Sequence, residues 1–210
     1  MSVAHGEQVR TLEEHGEIGR GVNWWGMMFF ISSEALIFAN LIAAYLYLEI
    51  HGLQIQNGMW ILPSGEHLPW QYPLFNTFIL LASSFPANYA GRSIAKGNQR
   101  GLVLGLIGAI VLGSIFLGGQ IFEYIGLYGE GFNMQYKTFG SAFFTLTGFH
   151  GLHVTIGLIF LLICLIRALR GDLTAKNHFV VQAGEMYWHF VDGVWIIVFS
   201  TVYLLPFLLR

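Results

Sequence analysis

Five long apolar runs restrict the folds open to this chain. They extend over residues 22–50, 73–95, 102–127, 139–169 and 183–208. Because an α-helix rises about 1.5 Å per residue, about 20 apolar residues cross a hydrocarbon core of roughly 30 Å. Transmembrane β-strands would be about 10 residues long with strict alternation, a pattern that these runs lack. The sequence therefore predicts an all-α polytopic membrane protein, a bundle of five transmembrane helices.

The composition agrees with this prediction. Hydrophobic residues make up 55% of the chain and charged residues only 10%, where a soluble domain has about 25% charged residues. Residues 1–21 are polar and predict a cytoplasmic N-terminal segment, so that residues 22–210 form a single transmembrane domain. The formal net charge of −2 and the dispersed basic residues argue against a nucleic-acid partner.

The distribution of lysine and arginine predicts the orientation. Eight of the ten basic residues fall on one side of the predicted bundle, namely Arg10, Arg20, Arg92, Lys96, Arg100, Arg167, Arg170 and Lys176. Lys137 and Arg210 fall on the other side. Because loops on the cytoplasmic side carry the excess of lysine and arginine, we expect the N-terminus inside and the C-terminus outside.

Three of the apolar runs contain ionisable side chains deep inside them. These residues are Glu34 in the first run, His150 and His153 in the fourth, and Glu185, His189 and Asp192 in the fifth. In a helix, the two histidines share one face, and so do the three residues of the last run. A polar or charged group in hydrocarbon costs several kcal/mol unless it finds a partner.

We therefore expect these six residues to converge in a buried polar cluster. In particular, Glu34 should form a hydrogen bond with His150 or His153, across the first and fourth spans. Such a cluster either exchanges protons or only holds the helices together, and the sequence leaves both roles open.

The third run carries small residues at a spacing of four. Gly101, Gly105, Ala109 and Gly113 form one stripe of a helix. Small residues let the backbone of a second helix approach closely in a membrane. This stripe predicts a packing groove.

Three functions remain compatible with the residues alone. A metal or heme site would use the intramembrane histidines, since imidazole is a common ligand of iron, copper and zinc. A secondary transporter would show an internal repeat, and the chain shows none. The third possibility is a non-catalytic bundle whose buried polar groups serve a larger complex.

Motifs in all five runs resemble one known family. The motifs are Trp25-Gly26-Met27 with Ser33-Glu34, Pro73-Leu74-Phe75-Asn76-Thr77, Gln120 with Glu123-Tyr124, Thr147-Gly148-Phe149-His150-Gly151-Leu152-His153-Val154, and Tyr187-Trp188-His189-Phe190-Val191-Asp192. Together they are similar to the third subunit of heme-copper terminal oxidases, the cytochrome c oxidase subunit III family. The resemblance covers about residues 20–205 and is to the short five-span bacterial form, which lacks the first two spans of the long form.

The resemblance implies a non-catalytic core subunit in a bacterial plasma membrane. Such a subunit binds no heme or copper itself, whereas its catalytic partner, subunit I, reduces O₂ to water and pumps protons. It supports proton uptake by that partner, stabilises it and binds phospholipid. Its other partners would be subunit II and, in some complexes, a small subunit IV. A subunit III of a quinol oxidase, or of a system associated with nitric oxide reductase, is the alternative.

Two residue roles follow from the resemblance. The family's carboxylate at the position of Glu34 is a buried group reactive towards carbodiimides, and its basic residue at the position of Arg167 is associated with a lipid phosphate. We therefore expect Arg167 to bind lipid, and we expect no metal ligand in this chain.

Overall fold

All regular secondary structure is helical in the part of the chain that the computed structural model describes, which is residues 21–55, 62, 63, 68–175 and 177–208. The long helices are α1 (Val22–Ile55), α2 (Gln71–Ala95), α3 (Gln99–Gly129), α4 (Lys137–Leu169) and α5 (Phe179–Phe199). A π-helical turn, Ser200–Leu204, joins α5 to the short α6 (Leu205–Leu208). The predicted all-α architecture is confirmed, and each predicted run corresponds to one long helix.

Four of these helices are long and apolar enough to cross a membrane: α1, α3, α4, and α5 with its π-helical turn. The exception is α2, which is long enough at 25 residues but more polar. Several of its polar side chains, including Asn76, Thr77 and Ser83, are buried against the other helices. The chain is therefore a multi-pass membrane protein, while the count of five spans and the orientation of the termini stay predictions.

Basic residues collect at one end of the bundle. Arg92 lies in the last turn of α2, Arg167 lies in the last turn of α4, and Arg100 lies in the first turn of α3. We call this the basic end. The N-terminal segment and Lys176, which contribute to the predicted orientation, lie outside the described residues.

The glycine stripe of α3 is a packing groove. The largest helix interface lies between α2 and α3. A Cβ atom on Gly105 would lie 2.6 Å from the carbonyl oxygen of Pro86 and 2.7 Å from the backbone nitrogen of Ala90, both on α2. Farther along the stripe, a Cβ atom on Gly113 would lie 2.6 Å from the Trp188 ring of α5. The small residues therefore admit α2 and one large aromatic side chain.

Two tryptophans fix α5 against α2. Trp188 and Trp195 are fully buried, and each indole Nε1–H donates a hydrogen bond of 2.9 Å to a hydroxyl group on α2, from Trp188 to Ser83 and from Trp195 to Thr77. A buried indole nitrogen without a partner would carry a desolvation cost. These two bonds therefore set both the height and the rotation of α5.

The first helix lies at the edge of the bundle. It packs against α4 and α5, and most of its side chains are exposed. Phe38, Tyr45 and Glu49 are its buried residues. This position brings one face of α1 towards the histidines of α4.

Candidate functional site

Glu34 of α1 and His153 of α4 form a direct pair. Glu34 Oε2 lies 3.0 Å from His153 Nε2, and the two side chains are 18% and 6% exposed. His153 Nδ1 lies 2.8 Å from the carbonyl oxygen of Phe149. The sequence led us to expect this hydrogen bond for one of the two histidines of α4.

The carbonyl contact restricts the protonation of the pair. A carbonyl oxygen can only accept a hydrogen bond, so His153 Nδ1 carries a proton. The remaining nitrogen, Nε2, then either accepts a proton from a neutral Glu34 or, in an imidazolium, donates one to a Glu34 carboxylate. In both cases one proton lies between Glu34 Oε2 and His153 Nε2. The pair can therefore gain or lose a proton at this one hydrogen bond.

Aromatic rings enclose this pair. Phe38 lies one turn after Glu34 on α1, and its ring centroid is 4.8 Å from that of His153. The Phe149 ring lies 4.7 Å from the same imidazole. Such surroundings strengthen the electrostatic interaction within the pair because they exclude water.

His150 lies near the pair but takes no part in it. Its ring stacks on Trp195 with centroids 4.7 Å apart and an interplanar angle of 30°, and it meets Phe38 and Phe116 edge-on. The side chain is only 1% exposed, and neither ring nitrogen has a hydrogen-bond partner among the described residues. His150 is therefore held by aromatic packing.

The polar residues of α5 form a second group, and they face α2. Glu185 Oε1 lies 3.8 Å from His189 Nε2, and His189 Nδ1 lies 3.1 Å from Ser84 Oγ. Ser84 in turn donates a short hydrogen bond to Asp192 Oδ2. The second carboxylate oxygen, Asp192 Oδ1, is buried without a hydrogen-bond partner among the described residues.

The six predicted residues thus divide between two seams of the bundle. Glu34 and His153 lie where α1 meets α4, with His150 nearby among rings of α1, α3 and α5, whereas the α5 residues lie where α5 meets α2. No hydrogen bond or ion pair in the described part of the chain joins the two groups. The indole contacts to α2 contribute to the division, because they turn the polar face of α5 towards α2.

Several residues that form polar contacts inside the bundle were not predicted from the sequence. Ser84 joins the second group, and the only sequence signal for it is a hydroxyl on a predicted span. Near the other end of the bundle, Glu123 accepts hydrogen bonds of 2.9 Å from Gln120 Nε2 and from Tyr203 Oη. Tyr203 lies in the π-helical turn, whose extra residue per turn changes the face on which it falls.

Arg167 lies in the last turn of α4 and is partly exposed at the basic end. An open groove of about 420 Å³ lies beside this turn, between α3 and α4. Arg100 lines that groove with Gln99, whose amide donates a hydrogen bond of 2.7 Å to the carbonyl of Ala168. The structure therefore places two cations near the groove, of which Arg100 lines it directly.

The described residues contain no group of three or more histidine, cysteine, aspartate or glutamate side chains placed to hold one metal ion.

Comparisons with known proteins identify the family. The sequence model of the family described as cytochrome c oxidase subunit III matches residues 8–206. Cytochrome c oxidase subunit 3 of Thermostichus vulcanus is 40% identical over 181 residues, which cover 86% of each chain. The proteins of the same name from Equus caballus and Drosophila melanogaster are 38% and 39% identical over 181 residues, which cover 85% of this chain and 68% of each of theirs. With a helical membrane fold and a family match over most of its length, this chain belongs to the cytochrome c oxidase subunit III family.

Proposed function

We propose that this chain is a non-catalytic subunit III that sustains proton uptake by the catalytic subunit of a heme-copper oxidase. Family membership makes it part of a terminal oxidase complex, in association with other oxidase subunits. The observation that carries the more specific role is the buried Glu34–His153 pair. The oxidase itself would reduce O₂ to water and pump protons.

The pair supports this role through its protonation chemistry. One proton is shared between two groups of adjustable basicity, inside a ring of aromatic side chains. A pair of this kind can bind a proton from one side and release it to a neighbour without moving a helix. Glu34 is the more exposed partner, so it is the group through which the proton would be exchanged.

The surroundings of the interior histidines favour a role without a redox centre in this chain. His153 uses both ring nitrogens, one with Glu34 and one with the backbone carbonyl of Phe149. His150 is enclosed by rings on three sides. Heme and copper would therefore reside in subunit I and subunit II, with a small subunit IV as a further partner in some complexes.

We also propose that the protein lies in a bacterial plasma membrane with its basic end inside and a phospholipid held there. The cytoplasmic leaflet is anionic, and basic residues near the surface are attracted to it by about 1 kcal/mol each. Arg167 is the proposed phosphate ligand. The adjacent groove beside Arg100 has the size to take the upper part of an acyl chain.

If the chain is a subunit of an oxidase, it should co-purify with the other subunits of that complex. Purified through a tag on this chain in mild detergent, the protein should run on a native gel as a larger complex. The complex should show a heme spectrum and contain copper, and it should consume O₂. A heme-containing complex that accepts electrons only from quinol would assign the chain to a quinol oxidase, and one that reduces nitric oxide would assign it to that system. A colourless complex would contradict every oxidase assignment.

A further inference from the structure

We propose that Glu185, His189, Ser84 and Asp192 form a proton relay along the seam between α2 and α5, separate from the Glu34–His153 pair. The relay would carry protons between water at the basic end and a carboxylate near the middle of the membrane. It deepens the proposed role in proton uptake, and its physiological purpose rests on that role.

The two helices present polar residues to each other in order of depth. On α5, Glu185, His189 and Asp192 lie about 9, 15 and 20 Å from the start of the helix at the basic end. On α2, which runs in the opposite direction, Asn88 and Ser84 lie about 10 and 16 Å from its end. The seam therefore places a polar group at nearly every helical turn from the surface to Asp192.

The hydrogen bonds fix the direction of each donor. While Asp192 is ionised, Ser84 uses its single hydroxyl proton in the bond to Asp192 Oδ2. Its oxygen must therefore accept from His189, and the proton of that bond lies on His189 Nδ1. In a neutral imidazole, Nε2 is then unprotonated, and it faces Glu185 Oε1 at 3.8 Å. The side of His189 that can take a new proton thus faces the basic end.

Proton transfer from Glu185 to Asp192 can proceed along these hydrogen bonds in four steps. A proton from water reaches Glu185, which passes a proton to His189 Nε2. The imidazole releases its Nδ1 proton to Ser84 Oγ, and Ser84 gives its own hydroxyl proton to Asp192 Oδ2. The result is one neutral Asp192 carboxyl group and one imidazole that has changed tautomer, and the reverse steps return the proton.

An open groove reaches the relay and extends along α2 to Arg92, towards the basic end. The groove has a volume of about 480 Å³, and His189, Ser84, Asn88 and Arg92 line it together with two aromatic side chains of α2. His189 has a side-chain exposure of 39%, the highest in its group. Because 3.8 Å is long for a direct hydrogen bond, we expect a water molecule in the groove to bridge Glu185 and His189.

A glycine on α2 makes room for the entrance. A Cβ atom on Gly91 would overlap Glu185 Oε2, so the glycine leaves the space that this carboxylate occupies against α2. Arg92 is the next residue along α2 and is exposed at the mouth of the groove.

No further carboxylate lines either of the two grooves that reach His189 in the described part of the chain. On the α2 side, Arg92 and Tyr89 are the titratable groups that line the groove. On the α1 side, a second groove reaches His189, and Ala35, Phe38 and Ala39 line it there. Glu185 and Asp192 are therefore the carboxylates that exchange protons with this imidazole.

Infrared spectroscopy of the intact oxidase complex in membranes tests the relay. The carboxylic-acid band of Asp192 is assigned by its loss in Asp192→Asn, and its exchange is followed after a switch from H₂O to D₂O. Ser84→Ala removes the hydroxyl that joins His189 to Asp192, so exchange of this band should slow about tenfold or more. Ser200→Ala is the matched control, because the hydroxyl that it removes bonds to the carbonyl oxygen of Ile196 in the preceding turn and lies outside the relay.

Two results would overturn the relay: equal exchange rates in Ser84→Ala and in the parent complex, or no Asp192 carboxylic-acid band from acidic to neutral pH. If Asp192→Asn does not assemble, the band is assigned instead by isotope-labelled aspartate and by its shift in Ser84→Ala. The exchange rate is measured without turnover. A failed relay would therefore leave the Glu34 proposal standing, and a failed Glu34 proposal would not change the exchange of Asp192.

Discussion

Replacing Gly105 with leucine is expected to abolish the folded protein. The glycine faces backbone atoms of α2, with the carbonyl oxygen of Pro86 2.6 Å and the nitrogen of Ala90 2.7 Å from the position of an added Cβ atom. Backbone atoms in the middle of a packed helix cannot move aside as a flexible side chain can. Overpacking a core costs about 1–3 kcal/mol and sometimes more, and here α2 and α3 would have to separate along their whole interface.

The measurement is the yield of folded protein and its midpoint of thermal unfolding in mild detergent. Gly118→Leu is the matched control, because no heavy atom lies within 4 Å of the added Cβ position and the residue is exposed on the same helix. We expect the control to behave like the parent. A Gly105→Leu protein as stable as the control would mean that α2 does not lie in the glycine groove.

The second large effect is expected at the Glu34–His153 pair. Removing one partner of a buried hydrogen-bonded pair leaves the other group unsatisfied, which costs about 1–3 kcal/mol and more for a charged group, whereas replacing both by apolar side chains is often nearly neutral. Glu34→Leu and His153→Phe should therefore each destabilise the protein strongly. The double variant should recover most of the loss, since it leaves no buried polar group alone.

Thermal or denaturant unfolding of the four proteins gives the coupling energy as a double-mutant cycle. His150→Phe is the control, because this histidine is equally buried but has no hydrogen-bond partner among the described residues, and phenylalanine can keep its stack on Trp195. It should change stability little. Additive losses in the cycle would show that the two side chains do not interact in the folded protein.

The helices could be predicted from the sequence because the length and hydrophobicity of each apolar run determine whether it forms a membrane-spanning helix. The predicted second and fourth runs, 73–95 and 139–169, end at the same residues as α2 and α4. The first helix continues to Ile55, beyond the predicted end at residue 50, and α5 begins at Phe179, before the predicted start at 183. The sequence does not mark the end of α1 or the start of α5, because both helices extend beyond the apolar region into the interface, where the composition no longer changes at the helix boundary.

The Glu34–His153 hydrogen bond could be expected because a deep carboxyl group needs a partner and few are available. The rotation of α5 could not be foreseen, since it depends on the indole bonds to Ser83 and Thr77, and it separates Asp192 from Glu34. Local periodicity also assumes a regular helix. The bond between Tyr203 and Glu123 could not be predicted for this reason, because Tyr203 lies in the π-helical turn.

The most direct test of the account is proton uptake by the intact oxidase carrying Glu34→Gln. Glutamine keeps the size and one hydrogen bond of the side chain but cannot release a proton, and Glu130→Gln, at an exposed carboxylate just after α3, is the control. We predict full assembly and unchanged heme content in both variants, with proton uptake slowed severalfold only in Glu34→Gln. Equal uptake in the two variants, or loss of the whole complex in Glu34→Gln, would contradict the proposed role of the pair.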